Sequence, residues 1–527
     1  MSHHDFSESR RNFLKLSAAA ASGLLFTQTQ GCSSGHFDIA PPPIDYRMDL
    51  VLTHCNIVDV MKGVVRKNKS IVIQNGHIVD IRENMAVTDN MEVIDMKDHY
   101  LIPGLIDGHC HTTLPSVGGF DLKTALATVN QMKQNFLQQT ANGVTTVRDT
   151  SAFVNFLRDF IYKIDKGCIA GPRVVHCGAW FNLDGSHPGD IKPSDISRLA
   201  PLAIMFTGEM FISFKDVDEL NRRMEKNLNT HPSFMKLSLD DESLLCGKEG
   251  KNPVYTDAHK RALLKFSETH DLPMAGHIHY KSGFDLAQEL PLFNMEHMVL
   301  DQALADKDIY RMADNRMSIV PTMTLGPAYA IEEVFDDMPK AFQTDFIKSE
   351  QKAWRKYFDT EMDRYALPAI AAAQREYRNG VTRYPFSELY KRKIFVPKPS
   401  LYYGYLTHGV ESLKKMKQAG ILIGCGTDAG VPLQCHGTLW REMMLYKRIG
   451  FSNGEILKCA TINNARILRM ADKIGTLDVG KFADLTVLVH NPLEAIEAVK
   501  DPVAVMKEGK IMYSRHAMAK YRNITTL

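Results

Sequence analysis

Between residues 104 and 470 the chain carries eight short apolar runs separated by stretches of helical periodicity, and this alternation constrains its fold more than any other feature. The runs are 104–111, 143–150, 173–181, 234–240, 273–279, 294–298, 317–324 and 421–430. The stretch 257–270 is one of the intervening amphipathic segments, with Ala262, Leu263 and Phe266 on its inward stripe. Strands that alternate with helices build parallel βα units. Eight such units predict an α/β chain with a (β/α)8 TIM barrel over 104–470, whose site lies at the carboxyl ends of the strands.

Both flanks read differently. Residues 48–103 hold β-rich runs, and 70–74 and 77–81 flank Asn75-Gly76, the strongest short hairpin signal. Residues 471–527 show the same habit around Glu508-Gly509. The two ends are expected to pair into one small composite β domain, a β-sandwich. Composition bounds the rest. An apolar fraction of 44% and a charged fraction of 24% exclude disorder, collagen and coiled coil for the bulk of the chain. A net charge of +2 gives no basis for nucleic acid as a partner. The nine cysteines are odd in number and contain no CxxC pair, which argues against a disulfide scaffold or a cysteine-ligated zinc site.

Polar residues collect where the apolar runs end. His109 and His111 are two apart on the first run, so both imidazoles face the same side of a strand and can grip one divalent ion. The fourth run carries Lys236, the fifth His277 and His279, the sixth His297 and the eighth Asp428. Four runs thus add to the first, and all of these groups are expected at one mouth.

These residues lie in motifs. Ile102-Pro103-Gly104-Leu105-Ile106-Asp107-Gly108-His109-Cys110-His111 resembles the opening motif of the amidohydrolase superfamily. Gly143-Val144-Thr145-Thr146-Val147-Arg148-Asp149-Thr150 is similar to its second-strand signature, and Gly171-Pro172-Arg173 to the approach to its third. Gly426-Thr427-Asp428-Ala429-Gly430 resembles the eighth-strand motif, and Lys481-Phe482-Ala483-Asp484-Leu485 the late β-domain motif. The resemblance runs from about 48 to 515 and is nearest the imidazolonepropionase-like branch, which includes prolidase-type dipeptidases.

The resemblance implies two divalent metal ions, named here as Zn. His109 and His111 would bind the first, His277 and His297 the second. Lys236, carboxylated on its amine to a carbamate, would bridge them, and Asp428 would ligate the first ion and carry protons. It also implies attack by a metal-bridging hydroxide on the carbonyl of an amide or cyclic amide, the substrate being a small molecule such as a dipeptide. His279, two residues past a ligand on the same strand, is assigned to substrate polarisation. Arg148, Tyr280 and His436 are candidate substrate contacts, with His176 and His187 behind them. Two departures alter the pocket wall: Leu237-Ser238-Leu239-Asp240-Asp241 replaces a Gly-rich turn, and Tyr280 stands where Gly is common. Phosphotriester or lactone hydrolysis at the same centre is the alternative activity. A non-catalytic, envelope-tethered binding protein is the alternative class.

The first residues read as an address. Ser9-Arg10-Arg11-Asn12-Phe13-Leu14-Lys15 followed by a short apolar stretch resembles a bacterial Tat export signal over 1–32. Thr29-Gln30-Gly31-Cys32 resembles a lipobox with Cys32 as the lipidated residue, and 33–47 reads as a tether. The expected partners are therefore the Tat machinery and a lipid anchor, and the expected location is the cell envelope, in the periplasm. The last feature is the stretch 327–405 between the seventh and eighth runs, where 16 of 79 residues are aromatic against 9% of the whole chain. Phe342, Phe346, Trp354, Phe358, Met362 and Tyr365 follow helical spacing up to Pro368. A helical insertion that caps the mouth is expected, with burial of the aromatics against the barrel or in a homo-oligomer as the other reading.

Overall fold

The parallel strands begin where the apolar runs begin. In the computed structural model, strands occupy Leu105–Cys110, Val144–Asp149, Arg173–His176, Met235–Ser238, Met274–His277, Asn294–Glu296 and Ser318–Val320. The structure describes residues 49–83, 85, 91–117, 122–188, 208–246, 250–383 and 397–515. The first three of these strands form one parallel sheet. The other four lie in register in a second sheet, as in Leu237 opposite Gly276 and Met295 opposite Ile319. The Ser233 amide donates to the His176 carbonyl at 2.8 Å, which links the two sheets. Almost every residue in these strands is buried, as expected for parallel strands covered on both faces.

The eighth run forms no regular strand. It makes isolated parallel bridges on both sides, Ile319 with Ile423 and Cys110 with Ala429. The Gly424 amide donates to Ile319 O at 2.8 Å, and the Gly108 amide to Cys425 O at 2.9 Å. Regular pairing fails because the chain is crowded and bent here. A Cβ on Gly426 would sit 2.7 Å from the His109 nitrogen. Asp428 and Gly430 have φ of 54° and 109°, outside extended geometry. The third run also differs from expectation. It breaks after His176 and resumes as Trp180–Leu183, which pairs with an additional strand, Phe211–Phe214.

The chain ends build one eight-stranded sheet in place of the expected two-layer sandwich. The hairpin turn lies at Asn75-Gly76, with φ of 48° and 79°, the double positive φ of a type I′ turn. Register shifts in the strands Asp49–Asp59, Val64–Gln74 and Ala504–Lys507 mark bulges. Bulges curl a sheet, and here Leu52, Ile57, Ile73, Ile78, Leu485 and Met506 meet in one core. The Ile78 amide donates to Lys481 O at 2.8 Å, bringing the late segment back onto the edge strand. Asp484 ties this sheet to the parallel strands, since Arg173 donates to it at 2.6 Å and to Glu508 at 2.6 Å. Residues 42–527 form one compact unit.

The described part of the long insertion contains helices. Helices span Asp345–Thr360 and Pro368–Arg383, with Pro368 opening the second, where its fixed φ suits the first helical turn. Trp354, Phe358, Met362 and Tyr365 are buried, and Phe342 and Phe346 partly so. Arg448 pairs bidentately with the buried Glu350, and Trp440 donates its ring N–H to the Tyr365 hydroxyl at 3.0 Å. The expected address segment, 1–47 with Cys32, lies outside the described residues. Among the described residues no helix is long and apolar enough to cross a membrane.

Candidate metal centre

The carboxyl ends of the first, fourth, fifth and sixth strands and the bent eighth run bring the expected residues together. His109, His111, Lys236, His277, His279, His297 and Asp428 are all at least 95% buried. Two overlapping donor groups emerge: His277, His279 and His297, and His109, His297 and Asp428, with ligand atoms within 4.8 Å of one another in each. His297 belongs to both. Its φ of 69° turns it out of the strand path toward the cluster. The Asp428 carboxylate lies 3.2 Å from His109 Nε2 and 3.1 Å from His111 Nε2.

Three of the imidazoles, those of His109, His111 and His297, are oriented from behind. His109 Nδ1 is 2.5 Å from Glu296 Oε2, and His111 Nδ1 is 2.8 Å from the Ser151 carbonyl. His297 Nδ1 is 2.8 Å from the Thr322 hydroxyl. A ring nitrogen engaged in this way fixes the tautomer and aims the other nitrogen at an ion. His277 has no such support: both its ring nitrogens are buried without a hydrogen-bond partner, as is the Lys236 amine. Unpartnered polar atoms in the interior are costly, and a cluster of them fits a group that accepts them all. The residues present therefore fit bound cations.

Electrostatics divide the cluster. Burial, reinforced by the neighbouring imidazoles, drives His277 and His297 well below the usual histidine range. Burial also lowers His279, against the pull of Asp240. Burial works against the charged form of His111 too, but Asp428 overcomes it and raises the group. Burial opposes ionisation of Asp428, yet His109 and His111 hold it well below the usual carboxylate range. Lys236 is pulled down to about 8 by burial, so a share of the amine is neutral near pH 7.

Several expected substrate contacts are engaged elsewhere. The Arg148 guanidinium donates to Glu296 at 2.5 Å and lies 4.0 Å over the Phe234 ring. Tyr280 donates its hydroxyl to Ser243 O at 3.2 Å, and its amide is held by Asp240. His436 lies beside Gln139, with its Nδ1 3.3 Å from the amide nitrogen, and burial lowers it to about 3. His176 accepts the Gly178 amide through Nδ1 at 3.2 Å. The His187 ring packs 5.6 Å from that of His277.

Three residues emerge that the spacing did not mark. Glu296 precedes His297, is fully buried, and bridges His109 and Arg148. An acid inside a short apolar run was the available signal. Asp240 accepts the amides of His279 and Tyr280 at 2.9–3.0 Å and fixes the turn after the fifth strand. Tyr405, from the end of the insertion, places its hydroxyl 3.3 Å from His279 Nε2 and 3.4 Å from the Thr322 hydroxyl. Nothing in local sequence couples Tyr405 to a histidine 126 residues away.

Residues 358–512 match the model of the amidohydrolase family. Over that stretch the chain is similar to the amidohydrolase family. Two curated proteins match in short stretches. An imidazolonepropionase of Thermoplasma acidophilum is 33% identical over 114 residues, which is 21% of this chain and 28% of that one. A dihydroorotase of Carboxydothermus hydrogenoformans is 41% identical over 64 residues, 12% of this chain and 14% of that one. The chain thus matches less than a third of the length of either relative. A solved Xaa-Pro dipeptidase with methionine bound in its active site shares the fold, with a TM-score of 0.65 at 21% identity, covering 88% of this chain and 100% of that one.

Proposed function

We propose that this chain is a divalent-metal hydrolase of the amidohydrolase superfamily that cleaves the C–N bond of a small amide or cyclic amide, such as a dipeptide. One observation carries the reading: two donor groups share His297, and the buried nitrogens of His277 and Lys236 have no hydrogen-bond partner among the described residues. Similarity to an imidazolonepropionase, a dihydroorotase and a Xaa-Pro dipeptidase supports the same reaction class. The parallel strands are read as a closed (β/α)8 barrel, supported by the bridges that 421–430 makes to strands on both sides.

In this reading His109, His111 and Asp428 would hold one ion, His277 and His297 the other, and a carboxylated Lys236 would serve as a ligand shared between the two sites. An all nitrogen and oxygen donor set suits Zn. Burial favours the neutral Lys236 amine, the form that adds carbon dioxide to give an anionic carbamate and one released proton. When bound, the ions supply an activated water and a Lewis acid for the substrate carbonyl. Asp428, held between two imidazole nitrogens, takes a proton as the carbonyl is attacked and returns it to the leaving nitrogen. His279, anchored through its amide by Asp240 and contacted by Tyr405, polarises the carbonyl. The insertion caps the mouth. Tyr402 and Tyr405 approach the His279 ring at 5.9 and 6.0 Å, and Tyr329 donates to Pro432 O, beyond the eighth run, at 2.6 Å.

The test is a panel of dipeptides and cyclic amides assayed with the metal-loaded and the chelator-stripped protein. Turnover that disappears on stripping and returns with added divalent ion is the expected result. A metal-free protein that neither binds divalent ions nor turns over any amide would return the reading to the tethered binder. We also propose Tat export and a lipid anchor at Cys32, giving a periplasmic, envelope-attached enzyme; this rests on Arg10, Arg11 and the residues before Cys32. Lys at both arginines should leave precursor in the cytoplasm, and normal export of that variant would refute the route.

A further inference from the structure

A second charged feature lies between the insertion and the helix Leu439–Ile449. A cavity of about 80 Å³ is lined by Trp354, Tyr357, Trp440, Arg441, Arg448 and the carboxylate of Glu350, among others. A water needs roughly 10–15 Å³ of such space, so the cavity has room for several waters or one small organic acid.

The charges around it do not balance. Arg448 is neutralised by Glu350, and Lys500, which lies 4.2 Å from the Trp440 ring, by Glu361 at 2.8 Å. Arg441 has no such partner. Its side chain is 93% buried, its guanidinium stacks 4.0 Å over the Tyr357 ring, and Nη1 is buried without a hydrogen bond. Among the described residues no carboxylate pairs with it. A guanidinium does not shed its charge under physiological conditions, and an unpaired buried charge is strongly unfavourable. The Trp354 ring N–H is also buried and unpartnered.

We propose that this cavity is a binding site for a small monocarboxylate, gripped through the fork of Arg441 with its apolar part against the aromatic walls. A single uncompensated cation matches a monoanion. A planar fork favours two parallel bonds to a carboxylate. Trp354, Tyr357 and Trp440 give the remaining surface an apolar, aromatic character suited to a short hydrocarbon tail. The site is distinct from the histidine cluster, and its existence does not depend on the reaction proposed there.

The experiment uses the full, metal-loaded chain in carboxylate-free buffer, titrated with acetate, propionate and benzoate, with chloride and phosphate as comparators. Melting temperature and calorimetry are the readouts. The wild type should show saturable stabilisation by a carboxylate, about 2–5 °C at a hundredfold excess over Kd. Arg441→Met should abolish it while metal content stays unchanged. Stabilisation that persists in Arg441→Met would assign the carboxylate to the metal centre and overturn the proposal, as would its absence in the wild type. Equal stabilisation by chloride or phosphate would overturn the carboxylate class. If Arg441→Met does not fold, Arg441→Lys decides: it keeps the charge but loses the fork, so affinity should fall about tenfold or more, and unchanged affinity would overturn the proposal.

Discussion

The two halves of the histidine cluster are built differently. On the His109 side every imidazole has a hydrogen-bonded rear nitrogen, and a carboxylate stands between the front ones. On the His277 side three rings crowd together, His277–His279 and His277–His297 at 4.5 Å and His279–His297 at 4.6 Å, and the nearby carboxylate, Asp240, stands 3.7 Å from His279 Nδ1. The first half leaves His109 Nε2 and Asp428 Oδ1 without a hydrogen bond, but both its rings are anchored from behind. The second carries unpartnered nitrogens and histidines that burial keeps neutral. Neutral imidazole is the form that binds metal. The second half, with both nitrogens of His277 unpartnered, therefore depends on its ion for order more than the first, whose imidazoles are held from behind.

The largest expected effect breaks the link between the halves. Lys236→Ala removes the group proposed to join the two ions, and kcat should fall by about 10²–10³-fold or more. A short acid such as formate should restore part of it. Normal kcat in Lys236→Ala would dissolve the two-ion arrangement.

The next tests the rear support that distinguishes the first half. Glu296→Gln weakens the orientation of His109 and leaves Arg148 without its buried partner. Metal affinity at that half should drop by about 10–100-fold, with His277-side affinity less affected. Equal losses at both halves, read by metal titration, would mean that they are not separable.

A smaller effect sharpens the second half. Tyr405→Phe removes the hydroxyl beside His279 and Thr322. The account expects a change of about tenfold or less in kcat/KM with metal content intact, since one neutral hydrogen bond is worth roughly 0.5–1.5 kcal/mol. Loss of metal in this variant would make Tyr405 a structural support of the ligands.

The smallest concerns pH and lies behind the seventh strand. Glu442 accepts the amides of Met323 and Thr324 and is fully buried, and burial pushes it up to about 8. A carboxyl whose pKa is raised on folding favours the protonated folded form. Its contribution is complete below the unfolded value near 4.5 and is lost as pH rises toward 8. Thermal stability should therefore decline between pH 5 and pH 8, and Glu442→Gln should flatten that slope. An unchanged slope in the variant would assign the decline to other groups.

Much of this was legible in the sequence because period and position carry it. His109 and His111, two apart at the end of an apolar run, could only share a face if the run was a strand. Asn75-Gly76 fixed a turn because few residue pairs accept two positive φ values. The pairing of Arg148 with the buried acid at 296 could not be read from its place at the end of a strand, because position does not say which way a side chain turns. The eighth run read as a strand, but the closeness of Gly426 to His109 and the left-handed Asp428 bend it. Tyr405 was invisible for a different reason: its contact with His279 exists only after the insertion folds back on the strands, and no local pattern encodes that return.

The central claim is that two ions bind in two unlike halves. Equilibrium dialysis against a divalent metal, with metal counted per chain in the wild type and in His277→Ala, tests it directly. The account predicts two ions in the wild type and one in His277→Ala, retained by the His109 half. A wild type that saturates below two ions, or a His277→Ala variant that still holds two, would contradict it.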